Sequence, residues 1–264
     1  MTTAVVNKIQ HVDVDSLESQ VKDMYTKVAE NPHAKYHFEM GRGLTERLGY
    51  PAEDLDRIPA EAIDSFAGVG YFFHLALLKA GETVVDLGSG SGTDSFIAAL
   101  KVGGEGRVIG IDMTDAQLSK ASGLRDRNGF ANIEYRKSYI EELPLGDASV
   151  DAVISNGVIN LSADKPAVFR EIARILKPGG RLAIADIVTQ NQLPETVSCN
   201  ADLWAACIGG AMQIDDYCAA IETAGLAVTT TQVNDQYGFI SDSAMGATDK
   251  WGVQSISLLA VKKG

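Results

Sequence analysis

Thr83-Val84-Val85-Asp86-Leu87-Gly88-Ser89-Gly90-Ser91-Gly92-Thr93-Asp94 decides how the chain is read. A short run rich in β-branched residues, with no polar alternation, ends in an acid; three alternate glycines follow before a helical pattern begins. Such a run predicts a strand covered on both faces. The glycines permit a tight turn and let a ligand approach the backbone with no Cβ in the way. Downstream, helix Asp94–Lys101, strand Arg107–Ile111, helix Thr114–Asn128, strands Ile133–Arg136 and Val150–Ser155, helix Pro166–Ile175 and strand Arg181–Ile187 follow. Strands and helices at this spacing imply βαβ crossovers and a parallel sheet. Helices at Ala201–Ile208 and Asp215–Ala224 and strands at Ala227–Val233 and Val253–Val261 complete the pattern. The fold class is α/β, with a doubly wound, mostly parallel, seven-stranded sheet. The polar connection Asn234–Lys250 reads as a loop.

Upstream, residues 1–75 read as a helical N-terminal cap or lid, and residues 76–264 as the ligand-binding domain. Asp15 and Glu18 have capping-box spacing and open a helix through Leu17, Val21, Met24 and Val28. Asn31-Pro32 breaks it. A second helical stretch, His37–Leu48, stops at Gly49. A third opens near Pro59 and ends at Gly68 and Gly70, and Phe72–Leu78 leads into the first strand. Phe66-Ala67-Gly68-Val69-Gly70 reads as a hinge for the lid. His33 and His37, four residues apart, would share one helical face. His37 is a candidate general base or substrate contact, and Tyr71 a candidate for closing the substrate pocket.

The whole chain has 264 residues, 45% hydrophobic and 22% charged, enough for one sizeable domain or a domain with an added lobe. Its 35 acidic and 23 basic residues give a net charge of −12, which repels nucleic acid and anionic lipid. No apolar run approaches the roughly 20 residues of a spanning helix, and Met1–Gln10 has no secretory pattern. Cys199, Cys207 and Cys218 are an odd number without metal-type spacing, which suits a reducing compartment. The expectation is a cytoplasmic protein with a small-molecule substrate, no nucleic-acid or membrane partner and no metal, its oligomeric state open.

The ligand follows from the turn. A dinucleotide fingerprint needs glycine at position 93, where Thr93 stands, and a phosphate loop needs a lysine that does not follow. A nicotinamide-dependent oxidoreductase is therefore disfavoured. Ile109-Gly110-Ile111-Asp112 is a second strand ending in an acid, and a carboxylate there can accept both hydroxyls of a ribose. The plainer reading of Asp112 is a cap for the next helix.

Asp86-x-Gly88-x-Gly90-x-Gly92, with Asp112 at its separation, resembles class I S-adenosylmethionine-dependent methyltransferases. The resemblance implies S-adenosylmethionine as cofactor, bound by Asp86, Gly88, Ser89, Gly90, Gly92, Asp112, Met113, Tyr139, Ile140 and Asn156. Tyr139 and Ile140 would flank the adenine, and Asn156, ending the fourth strand, would face the reacting centre. The segments at 86–94, 110–114, 139–143, 154–161 and 207–211 are similar to the arsenite methyltransferase group. Tyr25 falls where that group carries a tyrosine near the sulfonium, which makes it a catalytic candidate with His37 and Asn156. That group binds As(III) through cysteines from three regions, and only Cys207 falls on such a position; Gly157 follows Ser155-Asn156. One thiolate does not make a trigonal soft-ligand site. The expected function is methyl transfer to a small organic acceptor at O, N or C by in-line displacement. Alignment of nucleophile and methyl carbon contributes up to about 7–11 kcal/mol to such a step. Tyr71, Trp204 and Cys207 would line the acceptor pocket. The alternatives are an arsenite methyltransferase using Cys207 with external thiols such as glutathione, and a cofactor-binding protein without turnover.

Overall fold

The computed structural model describes residues 14–194, 197 and 208–264. Its sheet is built outward from β1 (Thr83–Leu87), whose side chains divide between two cores. Val84 belongs to a cluster with Phe96, Ile97 and Val108. Val85 and Leu87 join Val153, Phe169 and Leu258 in a second one. Full burial stabilises by about 1.5–3 kcal/mol per aliphatic side chain, so both faces of β1 are committed and its run carries no polar alternation.

The other strands are β2 (Arg107–Asp112), β3 (Ile133–Lys137), β4 (Val150–Asn156), β5 (Leu176–Thr189), β6 (Met212–Gln213), β7 (Leu226–Val233) and β8 (Val253–Lys262). Their spatial order is β3-β2-β1-β4-β5-β8-β7, with the two-residue β6 against β5. β1 to β5 pair in parallel, and β8 runs antiparallel to both β5 and β7. The chain winds outward from β1 through β2 to β3, then returns to place β4 on the other side of β1. A crevice opens at the carboxyl ends of strands where the winding reverses in this way.

Four helices cover the sheet: α6 (Thr93–Val102), α7 (Asp115–Asn128), α8 (Lys165–Ile175) and α9 (Ile214–Thr223). The start of α8 follows from its sequence. Asp164 accepts from the Ala167 N–H at 2.9 Å, Pro166 sits in the first turn, and Val168, Phe169, Ile172 and Ile175 supply a buried face. Ahead of the sheet lie α1 (Val14–Glu30) and four short helices, α2 (Arg42–Arg47), α3 (Ala52–Leu55), α4 (Ala60–Asp64) and α5 (Phe73–Ala76). Leu44, Leu48, Tyr50, Leu55, Ile63 and Phe66 share one cluster with Val84 and Phe96. Residues 42–76 are thus packed into the sheet's own core. Leu17 and Val21 of α1 form a separate small cluster with Tyr25, Met113 and Leu161.

Several expectations are corrected. An eighth strand, β6, joins the sheet, and the 234–250 connection contains α10 (Asp242–Trp251). Ser241 caps α10 by accepting from Ala244 N–H at 3.3 Å, and its buried residues include Ala244 and Ala247, too small to give the sequence an apolar period. The helix expected over His37–Leu48 is confined to α2, because Gly41 at φ +86° ends its N-terminal extension. His33 and His37 accordingly lie on turns and bends and do not share a helical face. Residues 66–70, expected as a hinge, are tied to β4 and β8 by hydrogen bonds. Asn156 Oδ1 accepts from the N–H groups of Val69 and Gly70 at 2.7 and 3.3 Å, and Ser255 Oγ donates to the Val69 carbonyl at 2.6 Å. The helix expected over 201–208, together with Cys199, Trp204 and Cys207, lies outside the described residues apart from Ile208. No helix among the described residues is long and apolar enough to cross a membrane.

Gly92 enters α6 at φ +98°, and a Cβ there would lie 2.3 Å from Tyr135 Oη and 3.0 Å from Phe96 Cε2. Gly92→Ala is expected to destabilise the protein by about 1–3 kcal/mol through strain and overpacking. Thermal denaturation beside Gly104→Ala, whose Cβ would meet nothing within 4 Å, checks this. Equal melting of the two variants would remove the steric role of Gly92.

Candidate functional site

A cavity of about 440 Å³ occupies the crevice at the carboxyl ends of β1, β2 and β4. The glycines of the turn have different jobs there. A Cβ on Gly88 would meet Val158 Cγ2 at 2.2 Å, so Gly88, like Gly92, admits neighbouring protein. Gly90, at φ +52°, has nothing nearer than Gln117 Oε1 at 3.9 Å, and its bare backbone faces the cavity. Asp112 is held at the cavity wall by backbone donors. Its Oδ2 accepts from Gly90 N–H at 2.9 Å and its Oδ1 from Thr114 N–H at 2.8 Å, while the carboxylate lines the cavity. Ser89 Oγ is buried there with no partner among the described residues. An orphaned donor of this kind costs about 1–3 kcal/mol unless a ligand satisfies it.

Two more carboxyls stand beside the turn. Ser95 Oγ donates to Asp86 Oδ2 at 2.6 Å, and Tyr50 Oη donates to Asp94 Oδ1 at 2.7 Å. Burial first, and then the Asp94 charge, push the Asp86 carboxyl well above its ordinary value; burial does the same to Asp94 against hydrogen bonds from Tyr50 and Asn156. Burial also raises Asp112, opposed by its backbone N–H donors. Asn156 joins these groups to the wall. Its Nδ2 lies 3.0 Å from Tyr50 Oη, 3.0 Å from the Gly70 carbonyl and 3.1 Å from Asp94 Oδ2. The described lining includes seven acids, Glu18, Asp86, Asp94, Asp112, Glu141, Glu142 and Asp164, and neither lysine nor arginine. Such a chamber favours a ligand bearing positive charge.

α1 covers the cavity with Leu17, Val21 and Tyr25. Gln117 Nε2 donates to the Tyr25 carbonyl at 2.9 Å, and Lys120 Nζ to that of Ala29 at 3.1 Å. Lys22 donates to Tyr139 Oη and lies 4.6 Å from the Tyr139 ring centroid, which ties α1 to the loop after β3. Tyr139 is half exposed at the mouth, and Ile140 is buried. Beneath this loop, burial lowers the Lys165 ammonium to about 8 against the charges of Asp186 and Glu141, and its Nζ donates to the Ser162 carbonyl at 2.9 Å. Ser162 Oγ in turn donates to Glu141.

The structure gathers Tyr25, Asp86, Gly88, Ser89, Gly90, Asp112, Met113, Tyr139, Ile140 and Asn156 around one cavity. Gly92 stands behind it. Tyr71 is elsewhere: its half-buried ring stacks on His74 at 5.5 Å and packs against Tyr50 at 4.9 Å, so its expected place at the substrate pocket is not where the fold puts it. His37 lines a second, smaller cleft that shares Tyr25 and Ala67 with the first. Trp204 and Cys207 lie outside the described residues. Sequence reasoning passed over Asp94, Gln117 and Asp164. An acid in a first helical turn is ordinarily a dipole partner, and Tyr50 and Asn156, 44 and 62 residues away, mark Asp94 as different. Among the described residues no group of three or more His, Cys, Asp or Glu side chains is arranged to hold a metal ion.

A family model for the methyltransferase domain matches residues 78–231. Arsenite methyltransferase of Halobacterium salinarum is 43% identical over 199 residues, covering 75% of this chain and 51% of that protein. Arsenite methyltransferase of Aquipseudomonas alcaligenes is 42% identical over 172 residues, 62% of this chain and 49% of that protein. The chain thus spans about half the length of these curated relatives. Among solved structures, the arsenic(III) S-adenosylmethionine methyltransferase of Chlamydomonas reinhardtii superposes with a TM-score of 0.62 at 28% identity, covering 86% of this chain and 75% of that one.

The raised carboxyls have a thermodynamic consequence. Between the ordinary carboxylate range and neutrality the folded protein holds protons that the unfolded chain has released, so the contribution of Asp86 and Asp94 to stability falls as pH rises. The ligand-free protein is expected to lose stability from about pH 5.5 to about pH 8 more steeply than Asp86→Asn does. Denaturant titrations of both proteins at the two pH values measure the difference. Parallel pH dependences would show that Asp86 ionises in the fold as it does in water.

Proposed function

The chain belongs to the methyltransferase-domain family, and from that premise we propose that it moves a methyl group from S-adenosylmethionine to a small organic acceptor at O, N or C. The observation that carries this reading is the acidic lining, with Asp86, Asp94 and Asp112 buried and no lysine or arginine among the described lining residues, beside an exposed Gly90 backbone and an orphaned Ser89 hydroxyl. That set of groups fits a ligand with ribose hydroxyls at one end and, at the other, an ammonium and a sulfonium that outweigh a single carboxylate. When bound, S-adenosylmethionine supplies an electrophilic methyl carbon on a sulfonium.

In this reading Asp112 accepts from the ribose hydroxyls, its carboxylate oriented by the N–H groups of Gly90 and Thr114. Tyr139 and Ile140 flank the adenine. Asp86 and Asp94, whose raised carboxyls a cationic ligand would ionise, offset the positive charge of the methionine end. Asn156 is a positioning residue, since its amide is committed to Val69, Gly70, Tyr50 and Asp94. Tyr25 lines the methyl-bearing end of the cavity. Holding the acceptor atom in line with the methyl carbon is then the main task of the protein. A cytoplasmic location belongs to the same reading, resting on the unpaired cysteine spacing.

A second reading, arsenite methylation using Cys207 with external thiols, is favoured by the 43% identity to the Halobacterium salinarum arsenite methyltransferase. The geometry after Asn156 weighs against it. Gly157 has φ +71°, and a Cβ there would lie 3.2 Å from Val69 Cγ1, so a cysteine at this position would be strained. Among the described residues the free cysteine is Cys218 on α9, and it does not line the cavity. The protein is expected to give no methylarsenic from arsenite, glutathione and S-adenosylmethionine, with mass spectrometry as the readout. Methylarsenic at many turnovers per enzyme would transfer the assignment to arsenite. Binding of S-adenosylmethionine with no S-adenosylhomocysteine from any acceptor would leave a binding protein. Asp112→Ala is expected to weaken S-adenosylmethionine by at least ~1.5 kcal/mol, the low end for a lost charge-assisted hydrogen bond. Calorimetric affinity equal to that of the parent would remove Asp112 from the site.

A further inference from the structure

We propose that the acceptor site is the aromatic cleft beyond Tyr25, and that it takes an uncharged, flat aromatic or conjugated ring carrying a hydroxyl or amine. The inference rests on the methyl-transfer reading and specifies its acceptor. The cleft is lined by Phe38, Ala67 and Val69 on one side and by Tyr237, Phe239 and Ile240 on the other, and it shares Tyr25 and Ala67 with the large cavity. A molecule held there meets the large cavity at Tyr25.

The two walls are aromatic by construction. The Phe38 ring stacks against Tyr36 at 5.6 Å and an interplanar angle of 16°, and against Tyr25 at 6.3 Å and 20°. Tyr237 and Phe239 meet edge to face at 5.2 Å. Rings so arranged present faces and edges to a flat guest, a contact that favours aromatic over aliphatic molecules of equal area. Among the described lining residues His37, Ser241 and the two tyrosines carry polar side-chain groups, which would orient a hydroxyl or amine.

One guanidinium sets the distance between the walls. Arg47 Nε donates to the Gln236 carbonyl at 3.3 Å, next to Tyr237, and its other nitrogens pair with Glu39, next to Phe38. The far wall is anchored again where Tyr237 N–H donates to the Asn234 carbonyl at 3.0 Å, and Asn234 is bonded to Ser255 and Ser257 of β8. Closed, the cleft encloses only about 20 Å³, so a guest enters by parting the walls, and a thin ring parts them least.

Charge decides the rest. Arg47 neutralises Glu39, and the adjoining cavity presents seven acids. An anionic acceptor would lose its hydration in an apolar cleft, and that desolvation disfavours it whatever the protonation of the acids beyond Tyr25. A carboxylate-bearing ring is therefore excluded where the matching phenol or amine is admitted.

Naphthol and naphthoic acid, the same ring with and without an anionic group, test this on the full-length protein saturated with S-adenosylhomocysteine. Fluorescence titration should show naphthol binding and naphthoate at least about tenfold weaker, roughly 1.4 kcal/mol. Phe38→Ala and Tyr237→Ala should each weaken naphthol by about tenfold while S-adenosylhomocysteine affinity stays at the parent value. That unchanged affinity also reports that the variants fold. Equal binding of the two probes, no binding of naphthol, or naphthol binding indifferent to both substitutions would overturn the proposal. Displacement of S-adenosylhomocysteine by naphthol would do so too. Failure of the parent to bind S-adenosylhomocysteine at all would instead sink the methyl-transfer reading, so the two failures are told apart by the cofactor titration.

Discussion

Holding carboxyl groups out of water at the ends of β1, β2 and α6 is the constraint around which this structure is arranged. Asp86 and Asp112 are buried at strand ends, Asp94 in the first turn of α6, and no lysine or arginine stands among the described residues of the cavity they line. An uncompensated buried carboxylate is costly, and the fold answers with neutral donors. Gly90 and Thr114 supply N–H groups to Asp112, Ser95 a hydroxyl to Asp86, and Tyr50 a hydroxyl to Asp94. Each donor carries a structural requirement. Gly90 must be in the left-handed region, and Tyr50 must be drawn in from the segment between α2 and α3, where it packs against Phe66 and Tyr71. Asn156, shared by Tyr50, Asp94 and Gly70, fixes the 66–70 wall. A site built in this way is preorganised for cationic charge before any ligand arrives.

The legible half of the sequence is the half with backbone demands. A strand buried on both faces must be apolar and short, and a turn opened toward a ligand must be glycine where φ is positive, so β1, the turn and Asp112 stand out in the sequence. β2 to β5 follow from the same rule of alternating crossovers. The helices that were missed or misplaced lack such signals. α10 buries alanines, and α2 begins at Gly41, inside a stretch whose residues otherwise favour helix. Asp94 and Asn156 carry ordinary local readings, a first-turn acid and a strand-end amide. Their connection to Tyr50 spans 44 and 106 residues, beyond the reach of any local pattern. Tyr71 illustrates the converse: its amphipathic ring suits a pocket mouth, yet packing beside Tyr50 and His74 is where the fold uses it.

The same asymmetry separates the cofactor half from the acceptor half. Gly157 illustrates how the two are coupled. It stands after the strand-end pair Ser155-Asn156, its N–H donates to the Ala185 carbonyl at 2.8 Å, and its left-handed backbone packs toward Val69. A thiol at this position would need a different course for the chain leaving β4, and that course also places Val158 against Gly88 of the turn. Placing a thiol there is therefore more than exchanging one side chain, because the backbone at Gly157 must change with it.

Tyr25 is the partition between the halves. On its cofactor side lie elements whose geometry is imposed by hydrogen-bonded strands and capped helices. On the other side lie the 31–41 and 234–241 segments, which have no ladder to satisfy and are held by Arg47, Asn234 and ring contacts. Substitutions there leave the supports of Asp86 and Asp112 in place, because those supports are Ser95, Gly90 and Thr114. Acceptor choice can thus drift on a fixed cofactor platform. The acids nevertheless set one condition that the cleft inherits. In the proposed reading a ring held by the aromatic walls would meet the methyl carbon beside an acid-lined cavity, which sets anionic acceptors at a disadvantage.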